Sequence, residues 1–167
     1  MHDFRYADNK LCCEGVAVEG LAKRFGTPLY VYSQGTLTNR FQDLDRALAG
    51  VEHLVCFAVK SNSNLSVLRV LARLGSGFDI VSGGELQRVM AAGGDPRQCA
   101  FAGVGKTEGE IEFALRQGVY TFNVESEPEL ERINRVAARL KKTAPVAVRV
   151  NPNVEAGTHK KITTGPY

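Results

Sequence analysis

The sequence has no apolar stretch long enough to cross a membrane and no apolar segment near its start. A membrane-spanning helix needs about 20 consecutive apolar residues. A secretory signal needs a continuous apolar core, whereas Met1 to Lys10 are largely polar and of mixed charge. We therefore expect no membrane partner and take the cytoplasm as the default location.

A block of like charges is also missing. Lys and Arg total 21 against 18 Asp and Glu, and the net charge of +3 is spread along the chain. Surfaces that bind nucleic acid or anionic lipid usually show a concentrated basic patch. The charges here are typical of solvated helix faces, so we expect no nucleic acid partner.

Paired metal-ligand and redox motifs are likewise missing. No two cysteines form a C-x-x-C pair, and the three histidines are isolated from one another. The residues are Cys12, Cys13, Cys56, Cys99, His2, His53 and His159. A zinc site needs such ligands at short spacings, and a reduced thiol in an apolar run behaves as a small hydrophobe. We interpret the thiols as structural and expect no metal site.

The sequence does contain a regular alternation of two periodicities. Five short apolar segments typical of strands are each followed by a segment with helical spacing of apolar residues. The strand segments are residues 54–59, 78–81, 99–104, 120–124 and 146–150. This order predicts an α/β fold with a parallel sheet and right-handed crossovers, either doubly wound or an arc of a barrel.

Chain length limits the barrel alternative. A complete (β/α)8 TIM barrel needs about 250 residues, so 167 residues provide about five of the eight βα units. Spacing does not choose between the two alternatives, and a barrel-like fold would be a partial TIM barrel over residues 51–167, preceded by a lead-in over residues 1–50. Residues 15–25 and 36–48 of the lead-in are predicted to be helical, around a short strand at residues 29–32.

Capping signals support the predicted helices. Thr107 with Glu110, and Ser126 with Glu129, have the spacing of a capping box. Pro128 falls in a first helical turn, where its missing N–H is not needed.

Lys60 is the first candidate for a functional residue. It ends an unbroken apolar run and is followed by small polar residues. In a parallel sheet this position is the carboxyl end of a strand, which is where barrel enzymes place their active sites. The alternative is a lysine that only ends the strand and points into solvent.

Two further charged residues accompany the strands. Asp79 lies in the second strand segment, and it could orient the lysine amine or cap the following helix. Arg149 is a cation in an otherwise apolar strand segment, and a buried arginine requires a partner. Asp79 would suit as that partner.

Two glycine motifs resemble nucleotide-binding loops and fail on inspection. Gly103-Val-Gly-Lys-Thr107 lacks the first glycine of a P-loop, because Ala100 occupies that place. Gly75-Ser-Gly77 precedes its strand, and Ile80 stands where a dinucleotide fingerprint has its third glycine.

Several segments carry a family resemblance that spans nearly the whole chain. They are Gly26-Thr-Pro-Leu-Tyr-Val-Tyr32, Cys56-Phe-Ala-Val-Lys-Ser-Asn-Ser-Asn64, Gly75-Ser-Gly-Phe-Asp-Ile-Val-Ser-Gly-Gly-Glu-Leu86, Arg149-Val-Asn-Pro-Asn153 and Thr158-His-Lys-Lys-Ile-Thr-Thr-Gly165. Together they resemble the diaminopimelate decarboxylases, within the pyridoxal-phosphate-dependent decarboxylases of the alanine-racemase fold. The last segment favours diaminopimelate over ornithine or arginine as substrate.

The resemblance implies an activity and a set of site residues. Lys60 would hold pyridoxal 5′-phosphate through its amine, with Asp79 and Arg149 close to the cofactor. His159 would contact the amino-acid substrate from a flap over the site, although a surface histidine is the alternative. The reaction would convert meso-2,6-diaminopimelate to L-lysine and carbon dioxide, in a homodimer.

The family pattern also includes segments that the 167 residues lack. These are a histidine that stacks on the cofactor, a glycine-rich phosphate loop, a Glu-Pro-Gly-Arg segment and a separate β-domain. We therefore expect these residues alone to be inactive. Three alternatives stay open, namely a non-catalytic barrel that binds the cofactor, a decarboxylase of ornithine or arginine, and a regulatory fragment that pairs with an intact homologue.

Overall fold

The computed structural model describes residues 3–153 and contains two separate sheets. A three-stranded antiparallel sheet comprises β1 (Phe4–Ala7), β2 (Lys10–Cys13) and β3 (Val16–Ala17). A five-stranded sheet comprises β4 (Cys56–Ala58), β5 (Gly77–Ile80), β6 (Cys99–Phe101), β7 (Thr121–Val124) and β8 (Val146–Val148). The helices are α1 (Val18–Phe25), α2 (Gln34–Ala47), α3 (Leu65–Arg73), α4 (Gly83–Ala91), α5 (Glu108–Gln117) and α6 (Glu127–Arg139).

The five-stranded sheet confirms the predicted βα repeat. Its strands pair in parallel and follow chain order from β4 to β8 without a reversal. Doubly wound sheets reverse their strand order at a switch point. The observed order therefore resolves the two alternatives in favour of a barrel arc.

The core lies between this sheet and its helices. Alternate residues of the central strands point toward the helices, and Phe78, Phe101 and Phe122 are fully buried there. The rings of Phe101 and Phe122 stack with their centroids 5.8 Å apart. Because strand side chains alternate between faces, the residues next to each of these phenylalanines along its strand point to the opposite, inner face of the sheet.

The inner face is lined by small side chains. The strand register aligns Ala58, Asp79, Ala100 and Thr121 in one row across four strands. Asp79 is the single charged residue of that row, so the sheet presents it against a background of small neighbours.

Gly77 is required by close packing at the start of β5. A Cβ at this position would lie 2.7 Å from the carbonyl oxygen of Gln98 and 2.8 Å from Cys56 Sγ. We expect Gly77→Ala to lower the free energy of unfolding by about 1–3 kcal/mol, as overpacking of a core does. Urea unfolding measures the change. The control is Gly109→Ala in α5, where a Cβ would meet nothing within 4 Å, and equal stability of the two variants would contradict the prediction.

The lead-in differs from its predicted order of helix, strand and helix. Residues 29–32 form no strand, so that prediction is wrong, and Tyr30 in this stretch is 83% exposed. Its aromatic and branched residues suit a strand, but within residues 3–153 no neighbouring strand pairs with it. The helix predicted from residue 15 begins at Val18.

The three-stranded sheet was not predicted from the sequence. Its first turn places Asp8 and Asn9 at φ 48° and 59°, and its second places Glu14 and Gly15 at φ 52° and 88°. Two-residue turns with both residues at positive φ are the geometry that matches the twist of a hairpin. The Asp-Asn dipeptide was therefore the available signal for the first hairpin.

Two carboxylates fasten this sheet to the first turn of α2. Glu14 Oε1 accepts hydrogen bonds from Ser33 Oγ and from the Gly35 N–H at 2.7 Å. Asp3 Oδ2 accepts one from Thr36 Oγ1 at 2.6 Å. Carboxylates are favoured at a helix N-terminus, where unpaired N–H groups point outward.

This contact should make the chain less stable in acid. The Ser33 hydroxyl and then the Gly35 N–H lower the pKa of Glu14 below its ordinary value. Because the folded pKa is depressed, the stabilisation is present above the ordinary carboxyl pKa and is lost as the pH falls through the folded value. We expect Glu14→Gln to flatten the acid limb of a plot of unfolding midpoint against pH. Exposed Glu52→Gln is the control, and an unchanged acid limb in Glu14→Gln would contradict the assignment.

Candidate active site

Lys60 lies on a single 3-10 turn, Val59–Ser61, that directly follows β4. The turn is held by the fully buried Val59 side chain and by Ser61 Oγ, which donates to the Ala58 carbonyl oxygen at 2.6 Å. The Lys60 side chain is 61% exposed, and its Nζ lies 3.8 Å from Asp79 Oδ2. The position after the strand end is the one that the sequence predicted.

Asp79 belongs to β5 and faces the inner side of the sheet next to Ala58. Ser82 caps the following helix, because its Oγ accepts a hydrogen bond from the Glu85 N–H. The capping alternative for Asp79 is therefore wrong. The carboxylate is left to face the Lys60 amine.

Arg149 corrects a predicted pairing. β8 ends at Val148, and the Arg149 side chain is 57% exposed, with Nη1 3.0 Å from Glu125 Oε2. The predicted burial and the predicted partner Asp79 are both wrong. The physical reason is topology, since β8 pairs with β7, the strand that Glu125 follows, whereas Asp79 lies on β5.

One cavity of about 420 Å³ brings these residues together at the carboxyl ends of the strands. We call it the strand-end pocket, and its lining residues are Lys60, Asp79, Ala102, Asn123, Glu125, Ala147, Val148 and Arg149. It therefore contains three of the four predicted site residues. The fourth, His159, lies outside the described residues.

The chemistry available in the strand-end pocket follows from its side chains. Lys60 is the single primary amine in its lining, and each of the two cations has a carboxylate partner within 4 Å. A primary amine can condense with an aldehyde, whereas the guanidinium of Arg149 stays a fixed charge. The pocket thus suits covalent capture of a carbonyl compound at Lys60.

Sequence reasoning missed Asn123 and Glu125. Asn123 interrupts the apolar alternation of β7 between the buried Phe122 and Val124. A polar residue at an inward position of a barrel strand was the signal that could have found it.

Lys106, from the rejected P-loop-like motif, lies buried beside the strand-end pocket. Its Nζ donates to the carbonyl oxygens of Gly103 and Asn123 and to Glu129 Oε1, at 2.7, 2.9 and 2.7 Å. The amine is therefore fully occupied by protein acceptors. This arrangement agrees with the exclusion of a nucleotide-binding loop.

First-turn glutamates fasten three of the loops at this edge of the sheet. The backbone N–H groups of Val81, Thr107 and Glu125 donate to Glu85, Glu110 and Glu129 at 2.7, 3.0 and 2.8 Å. The predicted capping box of Thr107 with Glu110 is confirmed. The box predicted for Ser126 is wrong, because Ser126 makes no side-chain cap and Glu129 binds the preceding N–H.

The cysteine thiols do not offer a second nucleophile here. All four are free, and Cys12, Cys13 and Cys99 are buried while Cys56 is exposed. Burial raises the pKa of Cys99 to about 12. Partial desolvation of the thiol beneath neighbouring groups, and then the Asp79 charge, raise the pKa of Cys56, which disfavours the reactive thiolate.

Residues 3–153 contain no cluster of three or more His, Cys, Asp or Glu side chains placed to bind a metal ion. None of their helices has the length and apolar content to cross a membrane.

Comparison with known proteins adds independent information. The family model described as pyridoxal-dependent decarboxylase, pyridoxal binding domain, matches residues 34–166. The diaminopimelate decarboxylase of Pseudomonas aeruginosa is 59% identical over 165 residues, which is 99% of this chain and 40% of that protein. The chain thus spans about 40% of the length of the curated relative.

Solved structures agree with this match. The diaminopimelate decarboxylase from Helicobacter pylori, complexed with L-lysine, aligns at 43% identity and a TM-score of 0.84, over 89% of this chain and 38% of that one. The enzyme from M. jannaschii aligns at 38% identity and a TM-score of 0.90, over 98% and 39%. Both are similar to the barrel arc described above.

Proposed function

The chain belongs to the pyridoxal-dependent decarboxylases, and from this membership we propose that it forms the cofactor-bearing part of a diaminopimelate decarboxylase. The reaction would convert meso-2,6-diaminopimelate to L-lysine and carbon dioxide. One observation carries the proposal, namely that the Lys60 amine opens into the strand-end pocket beside the Asp79 carboxylate. The 59% identity to a relative of that name supports the choice of substrate.

The residues of the strand-end pocket fit pyridoxal 5′-phosphate. The cofactor needs a primary amine with access to solvent, and Lys60 offers one in a cavity of about 420 Å³. When bound, the cofactor supplies an aldehyde for covalent attachment and an aromatic ring that draws electrons from the α-carbon as the carboxylate leaves. Lys60, Asp79 and Arg149 are the residues that we propose to hold it.

Each residue has a distinct proposed task. Lys60 Nζ would hold the cofactor, and when it is free this nitrogen would be placed to deliver a proton to the substrate's α-carbon. Asp79, at 3.8 Å, orients that nitrogen. Glu125 holds the Arg149 guanidinium at the rim, where a fixed positive charge suits an anionic group.

Other parts of the proposal rest on the resemblance alone. They are the substrate contact of His159 and the homodimer. The cytoplasmic location, and the division into a lead-in over residues 1–50 and a barrel over residues 51–167, rest on the sequence composition and pattern.

We propose further that the 167 residues do not decarboxylate by themselves. The strand-end pocket is lined by residues on or directly after five strands. The inner face of the arc is open beside β4 and β8, whose inward-facing Cys56 and Ala147 are exposed. Exclusion of water from the reacting carbon needs a closed site.

An activity assay on two proteins tests the proposal. The chain alone, and the chain joined to the remaining part of the Pseudomonas aeruginosa relative, are supplied with pyridoxal 5′-phosphate and carboxyl-labelled meso-diaminopimelate. We expect labelled carbon dioxide from the joined protein, none from the chain alone, and none from a joined protein with Lys60→Ala. A joined protein that carries the cofactor on Lys60 but releases no carbon dioxide would favour a non-catalytic carrier. Release of carbon dioxide from L-ornithine or L-arginine, and none from meso-diaminopimelate, would reassign the substrate.

A further inference from the structure

The pair formed by Lys106 and Glu129 is the most deeply buried charged contact of the described residues. The two side chains are 0% and 5% exposed, and Nζ lies 2.7 Å from Oε1. The Lys106 ammonium also lies over the Phe101 ring, 5.5 Å from its centroid. The pair is thus enclosed between β6, β7 and α6, where the solvent cannot reach it.

The pair is bonded to the backbone of two residues that line the strand-end pocket. Lys106 Nζ donates to the Asn123 carbonyl oxygen, and Glu129 Oε2 accepts from the Glu125 N–H at 2.8 Å. The pair therefore fixes the end of β7 and the start of the loop to α6. The side chains of Asn123 and Glu125 project from this fixed backbone into the strand-end pocket.

Glu125 links the buried pair to Arg149, the second cation of the strand-end pocket. Glu125 Oε2 lies 3.0 Å from Arg149 Nη1, and the Arg149 N–H donates to the Val124 carbonyl oxygen at 2.8 Å. Arg149 is more than half exposed, so its own surroundings restrict it little. The position of the Arg149 guanidinium therefore depends on Glu125, and the position of Glu125 depends on the buried pair.

A stabilising role alone does not explain such a pair. Removing two charges from water is costly, and replacing a buried ion pair by apolar residues of similar volume is often neutral or stabilising. Apolar side chains, however, cannot donate a hydrogen bond to the Asn123 carbonyl oxygen or accept one from the Glu125 N–H, as the pair does.

From this geometry we propose that Lys106 and Glu129 are positioning residues that set Asn123 and Glu125, and through Glu125 the Arg149 guanidinium, in the strand-end pocket. The consequence for cofactor binding rests on the function proposed above. The positioning itself is a property of this chain with or without a cofactor.

The experiment uses the full chain with both charges of the pair replaced, Lys106→Met with Glu129→Leu, so that no charge is left buried alone. Its matched control removes the exposed pair of α1, Lys23→Met with Glu19→Leu, whose atoms are 2.6 Å apart. Titration with pyridoxal 5′-phosphate, followed by borohydride trapping at Lys60, gives the affinity of each variant. We expect the buried double variant to bind about 10-fold more weakly and the control to bind as the parent does.

Combination with Arg149→Met separates positioning from a general structural role. If the pair acts through Arg149, the triple variant binds no more weakly than Arg149→Met alone, because the losses share one route. Losses that multiply, or a buried double variant with the parent's affinity, would overturn the proposal.

A second readout does not need the cofactor. In crystal structures of the parent and of the buried double variant, we expect the Glu125 to Arg149 contact to be present in the first and lost in the second. Its persistence in the variant would overturn the proposal. Failure of Lys60 to acquire any label in the joined protein of the activity assay would instead overturn the proposed function. Should the double variant not fold, Glu129→Gln, which keeps one acceptor for two donors, undergoes the same measurements.

Discussion

Replacement of Lys60 by arginine or alanine should abolish covalent attachment of pyridoxal 5′-phosphate to the chain. Among residues 3–153, Lys60 is the single primary amine that lines the strand-end pocket, and only such an amine forms the exchangeable imine that would hold this cofactor. Lys60→Arg is the sharper variant, because a guanidinium keeps a positive charge for Asp79 but cannot take the place of the amine. Incubation with the cofactor, reduction with borohydride and mass spectrometry of the peptides measure the attachment.

The control for this experiment is Lys23→Arg on α1, where the exposed lysine pairs with Glu19. It should acquire the label at residue 60 with the yield of the parent, while both Lys60 variants fall to the background of an unreduced sample. A Lys60→Arg chain labelled at another lysine with the parent's yield would show that the assignment is wrong.

Lys106→Met on its own lowers the free energy of unfolding by about 3–5 kcal/mol, the range observed when one partner of a buried ion pair is removed. The variant leaves the carboxylate of Glu129 at 5% exposure without its cation. It also leaves the Gly103 and Asn123 carbonyl oxygens without their ammonium donor. Urea denaturation followed by circular dichroism gives the change.

Two comparisons make this prediction specific. Lys106→Met with Glu129→Leu should recover part of the loss, because no charge is then buried alone, although the Gly103 and Asn123 carbonyl oxygens and the Glu125 N–H stay without their side-chain partners. Lys23→Met, which breaks an exposed pair, should cost less than about 1 kcal/mol. A double variant as unstable as Lys106→Met would contradict the explanation by an unpaired buried charge.

The sequence was sufficient for the βα repeat because its signals are local. Apolar strand segments and the Thr107 to Glu110 capping box depend on residues close in the chain, whereas the strand order that distinguishes a barrel arc from a doubly wound sheet is a property of the whole sheet. The three-stranded sheet near the N-terminus depends on a two-residue turn at Asp8 and Asn9, which alternation of apolar residues does not reveal. The apolar content of residues 29–32 suggested a strand for which the fold offers no pairing edge.

The sequence predicted those site residues whose position is set by their own strand segment. Asp79 lies on β5 and Lys60 lies on the turn directly after β4, so their meeting follows from the parallel pairing of β4 with β5. The partner of Arg149 depends on which strand lies next to β8, so sequence reasoning chose Asp79 where the fold supplies Glu125. The burial of Lys106 was not predicted, because Gly103-Val-Gly-Lys-Thr107 was considered only as a phosphate-binding loop.

The residues at the rim of the strand-end pocket are of two kinds, those that hold the loops in place and those that would face a ligand. Glu85, Glu110 and Glu129 hold the loop backbone from the helical side. The side chains that a ligand would touch project from that backbone toward the barrel axis. Substitutions at the ligand-facing positions can therefore alter what is recognised while the frame keeps its shape, which would let one architecture evolve preferences for different amino acids.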